Sequence, residues 1–238
     1  MNIGELRHIE LAEKPGRHVA VIATQGCPWR CPFCFNPHLV AARRKDDVHT
    51  IEDALSFIET ISETLEHVVV TGGEPTMHQD LPDFLRTMKA RGWKVHLETN
   101  GSGLGILRDI VFQNLADHIA MDVKAPLRNY ALAAGTRMDP NTVREAIWLL
   151  KMSGISHEFR TTVVPGLHTL PELKEIVQQL NGADKWVLRP FVSDCCLRSD
   201  FEGRQPFARQ ALEQGRKFFE KRVKCFEIAD PEAIPAAG

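Results

Sequence analysis

Three cysteines in one short loop have the spacing best suited to chemistry in this 238-residue chain. Cys27, Cys31 and Cys34 follow the pattern Cys-x3-Cys-x2-Cys, and no fourth cysteine is near them in sequence. Each of the four irons of a [4Fe–4S] cluster needs an outer ligand, and cysteine thiolates normally supply all of them. Three thiolates would leave one iron open to a small molecule, which suits catalysis better than electron storage. The loop therefore predicts a cluster with an open iron.

The same loop also fits a zinc knuckle. Structural zinc takes four cysteine or histidine ligands, and His38 would complete a set with the three cysteines. This interpretation implies a non-enzymatic scaffold or adaptor. Iron–sulfur absorbance after anaerobic reconstitution would separate the two interpretations.

A second motif, Gly72-Gly73-Glu74-Pro75, follows the apolar run 67–71. The two glycines let the backbone approach a ligand closely, and the proline stiffens the exit from the turn. The carboxylate of Glu74 can accept a hydrogen bond from an ammonium group. Such a turn is a weak signal alone, but one strand downstream of the cysteine loop it is a strong one.

Composition and charge narrow the class of protein. A formal net charge of −2 argues against nucleic-acid binding by bulk electrostatics, and we interpret the run Arg43-Arg44-Lys45 as a solvated loop. We find no signal peptide and no apolar stretch long enough to cross a bilayer. Clustered cysteines in a chain of this length indicate metal chemistry inside the cell rather than disulfides. We expect a cytoplasmic enzyme with neither a nucleic-acid nor a membrane partner.

Short apolar runs alternate with amphipathic segments along the chain. The predicted strands are 18–24, 67–71, 94–99, 118–123, 157–164 and 185–191, with a short final strand at Cys225–Ala229. The predicted helices are 50–65, capped by Thr50, then 80–91, 103–115, 139–153, 171–180 and 205–222. This alternation implies parallel strands joined by helical crossovers. Because six units are too few for a closed eight-stranded barrel, we predict an α/β fold, a partial (β/α)6 barrel of the TIM type. It would form a single domain over residues 1–238, with a core at about 15–230 and a frayed tail from 231.

Polar motifs fall at the carboxyl ends of all six predicted strands. They are the cysteine loop, Gly72–Pro75, Glu98–Gly101, Asp122–Lys124, Thr161–Gly166 and Arg189–Phe191. Barrel enzymes assemble their active sites at this edge, so the pattern predicts an enzyme site.

Individual residues at this edge carry separate hypotheses. We expect Glu98, Thr99 and Asn100 to contact a ligand or cation, and Asp122 and Lys124 to reach the same mouth. Arg160 and Arg189 either bind a carboxylate or pair with Glu98 or Asp122. The histidines without a ligand pattern are expected at the surface or in loops: His8, His38, His49, His78 and His168.

The cysteine loop and the glycine-rich turn together resemble the radical S-adenosylmethionine (radical SAM) superfamily. In that family the open iron chelates the methionine moiety of SAM, and the glycine-rich turn contacts the same moiety. The aromatic residue between the last two cysteines, here Phe33, packs near the adenine. The resemblance implies one [4Fe–4S] cluster, SAM as cofactor, a partial barrel of the radical SAM kind, and reductive cleavage of SAM to a 5′-deoxyadenosyl radical.

Four longer segments resemble the longer branch of the anaerobic ribonucleoside-triphosphate reductase activating proteins, which are glycyl-radical-enzyme activases. The segments are 24–27, 33–37, 121–126 and 159–165, within a likeness that spans about 15–230. The resemblance implies that Glu98, Thr99 and Asp122 hold a monovalent cation and the methionine carboxylate, and that Lys124 contacts methionine. Glu98 departs from the aspartate of the activases, and Val192 from a histidine that some of them carry near the ligand.

The resemblance to the activases implies an enzyme that works without oxygen. The enzyme would install a glycyl radical on a partner such as anaerobic ribonucleotide reductase, reached through the open side of the incomplete barrel. Cys195, Cys196 and Cys225 are one short of a second thiolate set, so the electron is expected from a flavodoxin or ferredoxin. The alternative is a small-molecule enzyme resembling the 7-carboxy-7-deazaguanine synthases, which share the Glu-Thr-Asn-Gly stretch. The segments 122–126 and 161–165 favour the activase.

Overall fold

The computed structural model describes residues 1–41 and 48–230. The basic run at 43–45 and the tail from 231 lie outside these described residues. Eight strands form one sheet in chain order: β1 (Ile3–Leu11), β2 (Lys14–Thr24), β3 (Leu65–Gly72), β4 (Val95–Thr99), β5 (His118–Asp122), β6 (Ser156–Val163), β7 (Lys185–Pro190) and β8 (Cys225–Ile228). The α-helices are α1 (Ile51–Thr60), α2 (Leu81–Ala90), α3 (Leu104–Phe112), α4 (Tyr130–Ala134), α5 (Pro140–Met152), α6 (Leu170–Gln179), α7 (Arg209–Glu213) and α8 (Arg216–Phe219).

The sheet is mostly parallel. β3 pairs parallel with both β2 and β4, and β7 pairs parallel with both β6 and β8. Parallel neighbours require a crossover connection, and helices supply these crossovers along most of the chain. The predicted alternation of strands and helices is therefore confirmed, including the short final strand.

The first strand, β1, was not expected from the sequence. Its apolar residues are Ile3, Leu6, Ile9 and Leu11, and of these only the last two have the two-residue spacing of a strand. The strand forms by antiparallel pairing with β2, in which Ile9 lies opposite Val19. A partner strand has overridden the local pattern.

Contacts within the fold divide the chain into two compact units. Unit 1 consists of Met1–Pro28, His38–Ala120 and Ser153–Ser156, and unit 2 consists of Trp29–Pro37, Met121–Met152 and His157–Gly238. The boundary passes through the cysteine loop, so Cys27 belongs to unit 1 while Cys31 and Cys34 belong to unit 2. The single domain stays a prediction.

Unit 1 has a core of aliphatic side chains from its strands and from α1 and α2, including Ile22, Val68, Val70 and Leu85. The predicted cap of α1 is confirmed: the Thr50 hydroxyl accepts from the Asp53 backbone N–H, and the Asp53 carboxylate accepts from the Thr50 N–H. This helix ends at Thr60, so the predicted helix 50–65 was too long.

Unit 2 has an aromatic core around Trp186 of β7. Its ring lies edge-on to Phe219 at 5.2 Å, and its indole N–H donates to the Thr161 hydroxyl at 3.0 Å. The predicted helix 205–222 is broken into α7 and α8 near Gly215, where an added Cβ would lie 2.2 Å from the Phe219 ring. Within the described residues, none of the helices has the length and apolar character needed to cross a bilayer.

Candidate active site

Glu74, in the turn after β3, is at the centre of a hydrogen-bond network in unit 1. Its side chain is buried, at 1% relative exposure. One carboxylate oxygen accepts from the Thr76 backbone N–H at 3.0 Å and from the hydroxyls of Thr76 and Thr99. The other accepts from the Asn100 backbone N–H at 2.6 Å. The carboxylate thus joins the Gly-Gly-Glu-Pro turn to the end of β4.

The protonation of Glu74 reflects this burial. Burial raises the pKa of the Glu74 carboxyl above its ordinary value, although the bonds from Thr76, Thr99 and Asn100 act in the opposite direction. The carboxylate was expected to accept from a ligand's ammonium group. In the structure, neutral donors of unit 1 occupy its oxygens.

The two glycines before Glu74 allow the turn to pack directly against the backbone at Thr24 and Gly26. Gly72 has a φ of +112°, and an added Cβ there would lie 2.3 Å from the Thr24 nitrogen. At Gly73, a Cβ would lie 2.0 Å from the Gly26 carbonyl oxygen. The Gly73 N–H donates to the Thr24 carbonyl oxygen, and the Glu74 N–H donates to the Gly26 carbonyl oxygen. The turn therefore supports the segment that leads into the cysteine loop.

Asn100 connects this network to the first cysteine of the loop. Its Nδ2 donates to the Cys27 Sγ at 3.6 Å, and its Oδ1 accepts from the Ser102 backbone N–H at 2.9 Å. Glu98, two residues earlier, has an oxygen that accepts from the Thr71 hydroxyl of β3 at 2.8 Å. Asn100 was expected among the ligand contacts, and its side chain lies beside a thiol.

In unit 2, Asp122 and Lys124 form an ion pair at the end of β5. The Lys124 Nζ lies 3.0 Å from the Asp122 Oδ2 and 5.9 Å from the centre of the Phe33 ring. The Lys124 backbone N–H donates to the Tyr130 hydroxyl, which donates in turn to the Asp122 carbonyl oxygen. Tyr130, the single tyrosine of the sequence, thereby fixes the backbone of the pair.

Each charge of this ion pair stabilises the ionised form of the other group. Burial would raise the pKa of Asp122, but the cations of Lys124, Arg189 and Arg160 outweigh it, and the pKa lies below its ordinary value. Burial would lower the pKa of Lys124, and Asp122 raises it well above the ordinary value. Arg160 itself pairs with Glu158 at 2.5 Å, a partner that the sequence did not indicate.

His168 is the clearest residue missed from the sequence. It was expected in a loop or at the surface; it lies in a loop but is buried, at 2% exposure. Its Nδ1 accepts from the Val164 backbone N–H at 2.9 Å, which leaves Nε2–H to donate to the Lys124 carbonyl oxygen at 2.8 Å. Burial lowers the pKa of His168, which agrees with this neutral form. His168 thus holds the backbone of Lys124 in place.

The end of the cysteine loop, at Pro32 and Cys34, lies against the segment that follows β7. The Cys34 and Pro32 carbonyl oxygens accept from the Leu197 and Arg198 backbone N–H groups, each at 3.0 Å. Burial raises the pKa of the Cys34 thiol, while the nearby Lys124 lowers it. The vicinal pair Cys195–Cys196 therefore lies close to Cys34 in unit 2.

Each unit thus gathers part of the predicted site. Unit 1 brings Cys27 together with Gly72, Gly73, Glu74, Thr99 and Asn100, while unit 2 brings Phe33 and Cys34 together with Asp122 and Lys124. The His38 ring, required for the zinc knuckle, has its Nε2 2.5 Å from a Glu5 carboxylate oxygen in unit 1. In the ranges 1–41 and 48–230, no three histidine, cysteine or acidic side chains are grouped to hold a single metal ion.

Comparison with known proteins gives a family match. The model of the Radical SAM superfamily matches residues 21–180. A protein of Methanocaldococcus jannaschii, provisionally named a glycyl-radical enzyme activating enzyme, is 27% identical over 182 residues, 74% of each chain. The 7-carboxy-7-deazaguanine synthase of Rhodopirellula baltica is 29% identical over 183 residues, 75% of this chain and 67% of the relative.

Solved structures share the fold. SuiB of Streptococcus suis bound to S-adenosylmethionine aligns with a TM-score of 0.69 at 13% identity over 92% of this chain, which spans about half (53%) of SuiB. QueE from Escherichia coli aligns with a TM-score of 0.54 at 18% identity, over 93% of this chain and 92% of QueE. Together with the mostly parallel sheet, these likenesses confirm the predicted fold class.

Proposed function

The chain belongs to the radical SAM superfamily, and on that premise we propose that it cleaves SAM at a [4Fe–4S] cluster held by Cys27, Cys31 and Cys34. The observation that carries the proposal is the extent of the family match, because residues 21–180 include the three cysteines and every predicted SAM contact. When bound, the reduced cluster and SAM supply a 5′-deoxyadenosyl radical that abstracts hydrogen from an unactivated C–H bond.

The surroundings of the cysteines fit an anionic, thiolate-bound cluster. Such a cluster is stabilised by hydrogen bonds to its sulfurs and by nearby positive charge. Asn100 donates to the Cys27 sulfur in unit 1. In unit 2, the ammonium of Lys124 acts electrostatically on both Cys31 and Cys34.

The polar groups of unit 2 fit the charged end of SAM. Lys124 would donate to the methionine carboxylate, Asp122 would orient Lys124, and Phe33 would pack near the adenine. In unit 1, Glu74 would hold Gly72 and Gly73 so that their backbone contacts methionine. A monovalent cation at Glu98, Thr99 and Asp122 belongs to the same proposal.

For the substrate, we propose a backbone glycine of a glycyl-radical enzyme, with anaerobic ribonucleotide reductase as the leading partner. The likeness to the Methanocaldococcus jannaschii protein over 74% of both chains supports this assignment. A glycine Cα–H is a suitable target because the flanking amides stabilise the resulting radical. A flavodoxin or ferredoxin would supply the electron.

A small-molecule reaction is the second candidate. It is favoured by the likeness to the Rhodopirellula baltica 7-carboxy-7-deazaguanine synthase, which is 29% identical over 75% of this chain. Its product would be 7-carboxy-7-deazaguanine.

Alanine substitution of each loop cysteine tests the cluster. Cys27→Ala, Cys31→Ala and Cys34→Ala should each abolish reductive cleavage of SAM, measured as 5′-deoxyadenosine formed with a low-potential reductant. The matched control is Cys225→Ala, because Cys225 is an exposed cysteine at the start of β8. Stoichiometric zinc in protein purified without oxygen, with no uptake of iron and sulfide, would contradict the proposal.

An anaerobic mixture with the partner tests the substrate. Protein, SAM, reductant and a glycyl-radical enzyme of the source organism should give a glycyl-radical doublet by electron paramagnetic resonance (EPR). The doublet should be absent with the Cys27→Ala variant. Absence of the doublet with every glycyl-radical enzyme of the source organism, alongside turnover of a small metabolite supplied to the enzyme, would favour the second candidate.

A further inference from the structure

Asn100 is placed beside a cysteine sulfur by contacts within unit 1. Its Nδ2 lies 3.6 Å from the Cys27 Sγ, within the range of a hydrogen bond to sulfur. The residue is buried, at 6% exposure. A buried amide donor and a thiol acceptor on separate segments are therefore held in contact with little competition from water.

The orientation of the Asn100 amide follows from its other partners. Oδ1 accepts from the Ser102 N–H at 2.9 Å, and the Asn100 backbone N–H donates to the Glu74 carboxylate at 2.6 Å. A flipped amide would turn an oxygen toward the sulfur and lose the bond from Ser102. Glu74 is a positioning residue here, because it fixes the backbone that carries the amide.

An N–H donor on a ligating sulfur affects the energy of electron uptake. Reduction adds negative charge to a cluster and its thiolates, and a hydrogen bond to sulfur stabilises the reduced form more than the oxidised form. Hydrogen bonds to the sulfurs are accordingly among the factors that set the potentials of iron–sulfur clusters.

We propose that Asn100 raises the reduction potential of the cluster through its N–H···S hydrogen bond to Cys27. The inference rests on the proposed function, since it requires a cluster on Cys27. It gives Asn100 an electronic role that is separate from contact with SAM, and it makes electron entry easier for a biological donor.

Two substitutions and one control test this role. Asn100→Asp keeps an acceptor for the Ser102 N–H but puts a carboxylate oxygen in place of the donor, whereas Asn100→Ala removes the whole amide. The control is Ser102→Ala, because the buried Ser102 hydroxyl makes no hydrogen bond with the described residues. All proteins are loaded with iron and sulfide, and their midpoint potentials are measured by EPR-monitored redox titration without SAM.

The expected shifts are ordered. Asn100→Ala should disfavour reduction about tenfold, which is about 59 mV for a one-electron couple. Asn100→Asp should shift the midpoint further in the negative direction because it adds a negative charge, and Ser102→Ala should leave the midpoint unchanged.

The outcomes separate this inference from the proposed function. Wild-type protein that takes up no cluster would overturn both. Loaded Asn100 variants with an unshifted midpoint would overturn the inference alone. Failure of both Asn100 variants to load, with wild type loaded, would assign Asn100 to cluster assembly and would also overturn the potential-tuning role.

Discussion

Units 1 and 2 use a carboxylate at a strand end in opposite ways. In unit 1, Glu74 accepts from hydroxyl and backbone N–H groups, and burial raises its pKa. In unit 2, Asp122 pairs with the Lys124 ammonium, which helps to lower the Asp122 pKa. The side chains also differ in exposure, since Asp122 is 39% exposed while Glu74 as a residue is only 1% exposed.

This difference distinguishes a structural carboxylate from one that is available to a ligand. The oxygens of Glu74 already accept several protein donors, so its value lies in the backbone that it fixes. The Asp122–Lys124 pair is partly open, and its ammonium can exchange some of its bonding for a ligand carboxylate. We therefore expect substitutions at Glu74 to affect the fold first, and substitutions at Asp122 to affect SAM binding first.

Removing the buried carboxylate of unit 1 should have the largest effect. Glu74→Ala leaves buried donors of Thr76, Thr99 and Asn100 without their acceptor, and each such group costs about 1–3 kcal/mol. The free energy of unfolding should fall by about 3 kcal/mol or more, as measured by urea denaturation.

The control for this prediction is Glu59→Ala on the surface of α1. Glu59 forms an exposed ion pair with Arg91, and such pairs contribute roughly 0.2–1 kcal/mol. Equal losses of stability in Glu59→Ala and Glu74→Ala would mean that the buried network is not structural.

Removing the carboxylate of unit 2 should affect binding more than stability. Asp122→Ala should keep the iron–sulfur spectrum and weaken SAM affinity, because Lys124 loses the partner that orients it. Loss of one charge-assisted contact costs about 1.5–3 kcal/mol, or roughly ten- to over a hundredfold in Kd. Anaerobic equilibrium dialysis measures the change.

The matched control is Glu175→Ala, which removes the exposed ion pair with Arg128 and should leave SAM affinity unchanged. Unchanged affinity in Asp122→Ala would remove the ion pair from the proposed SAM site.

The positions of these carboxylates at strand ends could be predicted from the sequence, because they depend on local patterns. The apolar runs locate β3, β4 and β5, and polar residues end or follow each of these strands in the sequence. Glu74, Asp122 and Lys124 were found in this way. Their roles stay predictions, because a strand-end position indicates proximity and not which atoms make contact.

The remainder depends on tertiary partners. Nothing in the local sequence of His168 indicates that its ring makes hydrogen bonds to the backbone of Val164 and of Lys124. Lys124 lies 44 residues earlier in the chain. Leu65 continued the helical spacing of α1 although it begins β3. Gly215 breaks the last predicted helix beside a ring of Phe219. Tyr130 did carry a signal, as the single tyrosine, six residues after Lys124.

The smallest expected effect is a difference in the pH dependence of stability between the two carboxylates. The pKa of Glu74 is raised in the folded state. At a pH just above its ordinary value of 4.5, the carboxyl therefore keeps its proton in the folded state and has lost it in the unfolded state. Its contribution to stability therefore falls as pH rises from 4.5 toward the folded pKa. For Asp122, whose folded pKa is lowered, the contribution is present in full above the ordinary value of 3.8. It is lost as pH falls from 3.8 through the folded pKa.

Urea denaturation across this acidic range, with wild type, Glu74→Gln and Asp122→Asn, measures both contributions. Subtracting each variant from wild type cancels the groups that they share, including His96, whose pKa is lowered to about 4 by burial and by the neighbouring His67 and His118. The Glu74 difference should decrease with rising pH above 4.5, and the Asp122 difference should increase with rising pH below 3.8. Slopes of the same sign would mean that the folded state shifts the pKa of both carboxyls in the same direction, which would contradict the opposite roles assigned to them in units 1 and 2.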